Sequence, residues 1–147
     1  RSVRTATHLY IRNFHPERPH LMPNDYKDGK AIVQRLRELH GAGSLPELSE
    51  KLLFAPVRPV EELYEWKTDR WQAKNLAEDR AHEEMRRNLS TRLDQWIMES
   101  RDPGDESPAV YDLEIADELA VIKAGSERHR AFSENAEVYR AWMKEGK

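Results

Sequence analysis

Between Glu61 and Trp96 the apolar residues change their spacing, and that change restricts the fold more than any other feature. Glu61 to Trp66 alternates as a short strand does, so Leu63 and Tyr64 point to opposite faces; one buries, and the other can set its hydroxyl at the sheet edge. Lys67 to Ala77 is a structured connection. Asp69 can accept main-chain N–H groups there, Asn75 can adopt a left-handed or side-chain-bonded conformation, and Leu76 can seal the end of the next helix. Glu78 or Asp79 then caps the longest helix, where Met85, Leu89, Leu93, Trp96 and Ile97 share one face. Glu83, Arg86, Arg87, Asn88 and Arg92 read as its solvated face.

The segment before this block supplies two more strands. Val3 and Thr5 lie on one side of the first. Leu9 and Ile11 lie on one side of the second, opposite His8, Tyr10 and Arg12. The turn at Ala6 to His8 lacks the usual Gly or Asn signal. His15 to Pro23 is a loop, because Pro16, Pro19 and Pro23 block regular helix. Asn24 or Asp25 caps a helix predicted to run to about His40, with Ile32, Leu36 and Leu39 as a narrow stripe and Gly41-Ala42-Gly43 as its stop. Ser44-Leu45-Pro46-Glu47 reads as a capping box for a shorter helix with Leu48, Leu52 and Leu53 inward.

Residues 102–108 form a breaker rich in Pro, Gly and acid. Beyond it, Tyr111 to Ala124 and Glu127 to Glu145 read as helices anchored by Leu113, Ile115, Leu119 and Ile122, and by Phe132, Val138, Trp142 and Met143. The predicted fold is α+β: a small antiparallel sheet, a hairpin plus a third strand, packed on a long amphipathic helix with additional helices. The predicted division is an α+β subdomain over 1–103 and a helical extension over 104–147. Three strands make a sparse core with an exposed edge, which a neighbouring segment can pair.

Composition removes several function classes. With 24 Lys+Arg against 27 Asp+Glu, the net charge is -3 and there is no basic excess of the kind that displaces counterions from nucleic acid. The chain holds no cysteine, hence no thiol nucleophile, disulfide or Cys-ligated zinc. No apolar run approaches the roughly 18 residues of a membrane span. Neither nucleic acid nor membrane is an expected partner. The chain starts at Arg1, inside a predicted strand, and reads as a fragment of something longer.

The block E-L-Y-(D/E)-x-x-x-D-x-x-E-x-x-N-L-A, followed by a helix ending in Trp, stands here as Glu62, Leu63, Tyr64, Glu65, Asp69, Asn75, Leu76 and Ala77, with Trp96 downstream. It resembles the C-terminal subdomain of the type I, formylglycine-dependent sulfatases. The opening RSVRT…YIRNF resembles the hairpin that precedes the block in that family. RNFHPERPH and WIMESRDPG look most like the heparan N-sulfatase (N-sulfoglucosamine sulfohydrolase) branch and its bacterial relatives. The likeness covers Arg1 to Pro103. Three positions depart from the pattern: Glu65 where Asp is usual, Arg70 where Pro is usual, and Gln72 where Glu is usual. All three fall in or beside the turn.

What the resemblance implies is a parent enzyme that hydrolyses a sulfate ester or N-sulfate on a carbohydrate. In that family a formylglycine made within a C/S-x-P-x-R motif attacks sulfur, and a calcium ion steadies the sulfate oxygens. Here the nearest match, Ser44-x-Pro46-x-Leu48, lacks the Arg. Formylglycine and calcium are therefore expected in a catalytic domain outside this chain, which is expected to have no catalytic or metal residue and no sulfatase activity alone. That N-terminal catalytic domain is the expected partner, with a homo-oligomer through the orphaned interface as a second. A periplasmic or otherwise exported location is consistent with such a parent.

Within the chain, Arg18 and His20 are the substrate-rim candidates, since Arg suits bidentate contact with sulfate or carboxylate. The competing reading is an ordinary exposed loop. His15 and His20 lie five apart around two prolines, without an established ligand geometry or a third ligand. Arg80, Arg86, Arg87 and Arg92 are interleaved with acids, which favours a solvated face over a polyanion site. Trp66 and Trp71 are candidates for a sugar platform or for packing on another domain. The alternative function is a non-enzymatic helical interaction module.

Overall fold

Val3, Tyr10 and Leu63 stand in one row across three strands, and this row is the floor of the core. In this computed structural model, β1 (Ser2–Arg4), β2 (Leu9–Arg12) and β3 (Glu61–Tyr64) form an antiparallel sheet in the order β1-β2-β3. The structure describes residues 1–104 and 107–147. Residues 105 and 106, inside the expected breaker, lie outside the described residues.

The first turn closes without glycine because Thr5 does the work of the missing signal. Its N–H donates to the His8 carbonyl at 2.8 Å, and its hydroxyl accepts from the N–H groups of Thr7 at 3.3 Å and His8 at 2.9 Å. A hydroxyl that folds back on its own loop fixes the turn locally.

Contacts group the chain into two compact units, Arg1–Pro19 with Ala55–Pro103 and His20–Phe54 with Gly104–Lys147. In the first, the row Val3–Tyr10–Leu63 meets Leu89 and Leu93 of α4 (Glu83–Ser100), and Leu76 closes the end. Tyr10 and Leu63 are fully buried. Placing a Leu such as Leu93 out of water contributes about 2 kcal/mol. A 3-10 turn, Arg80–His82, precedes α4, and Asp79 caps that turn by accepting from Ala81 N–H at 3.0 Å. The helix ends on Arg101, held at φ 52, whose N–H returns to the carbonyls of Ile97 and Met98.

Several sequence expectations change here. β3 stops at Tyr64, two residues short of the predicted Trp66, and both faces of the strand are buried at Leu63 and Tyr64. Met85 and Trp96 were expected inside but face solvent, because the helix buries only the narrow line Leu89–Leu93 with Ile97 packed beside it. Arg86 is not a solvated residue, since it is ion-paired across the sheet face.

The second unit holds α1 (Asp25–Asp28), α2 (Ala31–Gly41), α3 (Glu47–Leu53), α5 (Pro108–Val121) and α6 (Glu127–Lys144). Asn24 caps α1 as predicted, accepting from Lys27 N–H at 3.0 Å. The single helix expected to His40 is broken between Asp28 and Ala31, and the break turns Val33 inward and leaves Ile32 exposed. The capping box at Ser44 does not form. The Ser44 hydroxyl donates to the Ala42 carbonyl at 3.3 Å, and Pro46 opens α3 without a side-chain cap. Leu48 is consequently exposed. Ile115 of α5, Ile122 just past its end and Ala136 of α6 are buried, whereas Leu113 and Val138 face out. The fold is α+β, a three-stranded antiparallel sheet with helices.

Candidate functional site

The connection between β3 and α4 is held by two side chains. Asp69 accepts from the N–H groups of Ala73 at 3.1 Å and Lys74 at 2.8 Å. These main-chain donors hold its carboxyl below the ordinary value of 3.8. Gln72, one of the departures from the sulfatase pattern, takes a left-handed φ of 52 inside this turn. Asn75 then reaches back to β3. Its carbonyl accepts from Leu63 N–H at 2.9 Å and from Ala77 N–H at 3.0 Å, and its amide donates to the Glu61 carbonyl at 3.1 Å. Leu76 N–H adds a bond to the Leu63 carbonyl at 2.8 Å. The outer edge of β3 is thereby closed, which the residue pattern alone did not reveal.

On the helix side of the sheet a polar chain crosses from strand to helix. Tyr10 donates its hydroxyl to Glu61 at 2.5 Å, and Arg86 of α4 donates to the other oxygen of Glu61 at 2.5 Å. Arg12 donates to Asp94 at 2.5 Å and to the Ser90 hydroxyl at 2.6 Å. Burial, and then the bond to Glu61, raise the Tyr10 phenol above its ordinary value. The bond from Arg12 holds Asp94 below its own.

The opposite face carries a buried carboxylate that sequence reasoning passed over. Glu62, 4% exposed, accepts from Asn13 Nδ2 at 2.5 Å and from the Tyr64 hydroxyl. Asn13 also donates to the Pro59 carbonyl at 2.7 Å. Burial first, and Glu62 second, push the Tyr64 phenol up. The available signal was spacing: Glu62 and Tyr64 are two apart on a strand and share a face, so one of the two acids at 61 and 62 had to turn inward. Arg58 stands beside this cluster, donating to the His15 carbonyl at 2.7 Å, with its ionisation lowered by burial and supported by the charge of Glu62. The Glu62, Asn13 and Tyr64 side chains thus satisfy one another, whereas Arg58 Nε is buried without a hydrogen-bond partner.

The two substrate-rim candidates fall on either side of the boundary between the units. Arg18 belongs to the first unit and His20 to the second. Trp66 and Trp71 also diverge in role. Trp66 donates its indole N–H to the Thr5 carbonyl at 3.1 Å and carries the Arg4 guanidinium 4.1 Å above its ring, while Trp71 is exposed with Arg70 beside it. Among the described residues no group of three or more His, Asp or Glu is placed to hold a metal ion. Ser44 is engaged with Ala42 in the loop before α3.

A stretch of 97 residues is 35% identical to an ulvan-active sulfatase of Formosa agariphila. The match takes in 66% of this chain but spans only 16% of that enzyme's length. It relates this region to a sulfatase. No family model matches the chain, and no solved structure does.

Proposed function

We propose that this chain is the C-terminal region of a formylglycine-dependent sulfatase, where it completes the fold and shapes the rim of the substrate cleft. The observation that carries the reading is the 35% identity over 97 residues with an ulvan-active sulfatase. The closed turn supports it. Among the residues that resemble the sulfatase block, Leu63, Asp69, Asn75 and Leu76 brace the turn that joins β3 to α4. In this reading the parent cleaves sulfate from a carbohydrate, the heparan N-sulfatase branch being one candidate for its kinship. The formylglycine and the calcium sit in the preceding catalytic domain, and Arg18 and His20 reach the cleft rim only in that context.

The test is the coding sequence upstream of Arg1. An in-frame catalytic domain with C/S-x-P-x-R supports the reading; an initiator Met immediately before Arg1 removes it. One observation favours a second reading, a helical interaction module. Leu113 and Val121 on α5 are exposed apolar residues of the kind that dock on a partner chain.

A further inference from the structure

Closing the β3 edge with Asn75 leaves β1 as the open side of the sheet among the described residues. Arg1 exchanges both main-chain bonds with Arg12, at 2.9 and 3.0 Å, and Thr5 N–H donates to His8. By the alternation of an antiparallel ladder, the N–H and carbonyl groups of Ser2 and Arg4 therefore point away from β2. Between this edge and α4 lies a groove of about 490 Å³ lined by Arg1, Ser2, Val3, Arg4, Arg92 and Trp96. No carboxylate is among these lining residues.

Each wall offers a different chemistry. Trp96 is 51% exposed, one turn of helix beyond Arg92, so an indole plane and a guanidinium stand side by side. The Arg1 guanidinium is engaged bidentately by Asp102, at 2.5 and 2.8 Å, and the Arg4 guanidinium lies on Trp66. Arg92 is the groove's uncommitted cation: among the described residues it makes no ion pair. The strand edge adds main-chain N–H donors. An indole face suits the C–H face of a sugar ring. A guanidinium with main-chain N–H groups suits an oxyanion. The volume falls in the range of small-ligand clefts.

We propose that the β1–α4 groove is a secondary binding subsite for a sulfate-bearing saccharide, with Trp96 stacking on the sugar and Arg92 and the Ser2–Arg4 edge holding the sulfate. The choice of sugar rests on the sulfatase reading above. The experiment reads binding and not turnover, so the failure of one is distinguishable from the failure of the other.

The purified protein is titrated calorimetrically with a short heparin oligosaccharide, with its desulfated counterpart and with sodium sulfate. The sulfated oligosaccharide binds, more weakly as salt rises. The desulfated sugar and free sulfate bind far less. Trp96→Ala and Arg92→Ser each weaken binding by roughly tenfold, while Trp96→Phe, which keeps an aromatic face, retains most of it. Both side chains are exposed, and an unchanged far-UV circular dichroism spectrum verifies that the variants fold. Absence of binding by the unaltered protein overturns the proposal. So does unchanged affinity in Trp96→Ala or Arg92→Ser, or equal affinity for the desulfated sugar or free sulfate.

Discussion

The side-chain carbonyl of Asn75 accepts the main-chain N–H of Leu63 at 2.9 Å, while the amide of the same side chain donates to the Glu61 carbonyl at 3.1 Å. One residue in a turn thus stands in for a missing fourth strand along this part of β3. An edge strand with unsatisfied main-chain groups invites pairing with other chains, and an Asn that mimics a peptide group removes the invitation.

Asn75→Ala is predicted to destabilise the protein by about 1–2 kcal/mol, since Leu63 N–H loses its partner at the rim of the core. Asn75→Asp keeps the acceptor and loses the donor, so its cost is smaller. Urea denaturation followed by circular dichroism measures both. Equal stability of Asn75→Ala and the unaltered protein would show that water replaces the side chain without penalty.

Acid should weaken the turn. The Asp69 carboxyl is held below its ordinary value of 3.8 by the N–H groups of Lys74 and Ala73. A group with a depressed folded value contributes stability above its unfolded value and loses it as pH falls through the folded one. The unfolding midpoint in urea is therefore expected to drop as pH falls below about 5. In Asp69→Asn that drop becomes shallower. An identical acid slope in the variant would assign the pH dependence elsewhere, first to Asp94 beside Arg12.

The phenols behave in the opposite sense. Tyr10 and Tyr64 are both raised above 10.0, chiefly by burial and next by their bonds to Glu61 and Glu62. Their raised folded values leave the associated stability intact below the unfolded value and remove it as pH rises through the folded one. In a spectrophotometric titration, Tyr10 and Tyr64 should ionise only above the ordinary phenol value of 10.0, alongside loss of structure. A Tyr10→Phe or Tyr64→Phe variant that leaves the high-pH part of the titration unchanged would contradict the buried placement.

Glu62→Ala is predicted to cost about 2–3 kcal/mol, because the Tyr64 hydroxyl loses its acceptor and Asn13 keeps only its bond to the Pro59 carbonyl. Tyr64→Phe removes only one of the two bonds and should cost about 1 kcal/mol. By contrast the Arg12–Asp94 pair, with the Asp94 side chain 60% exposed, should show a coupling of no more than about 1 kcal/mol in a double-mutant cycle.

The helix-on-sheet core was legible from the residues because period and partner agree. Leu89 and Leu93 recur at helical spacing, and Leu63 alternates on a strand that meets them. Trp96 was misplaced for a physical reason: a three-stranded sheet is too narrow to cover a full apolar stripe, so the helix face extends past it. The helix break before Ala31 escaped notice because Gly29 sits within an otherwise helical pattern, where isolated glycine is tolerated. Glu62 was hidden by its type. A charged residue is read as exposed unless its strand neighbours are weighed, and here Asn13, distant in sequence, supplies the bond that makes burial tolerable. The β1–α4 groove was not legible in the sequence, since Arg92 and Trp96 come to line it with Ser2 and Arg4 only after the long connection folds.

Sulfate release by the full product of the gene that carries this region tests the central claim most directly. The substrate is a sulfated oligosaccharide, assayed with the region present and with the segment corresponding to residues 1–103 deleted. Free sulfate is expected from the intact product and none after the deletion. A full-length product that keeps this region and liberates no sulfate from any sulfated saccharide would contradict it.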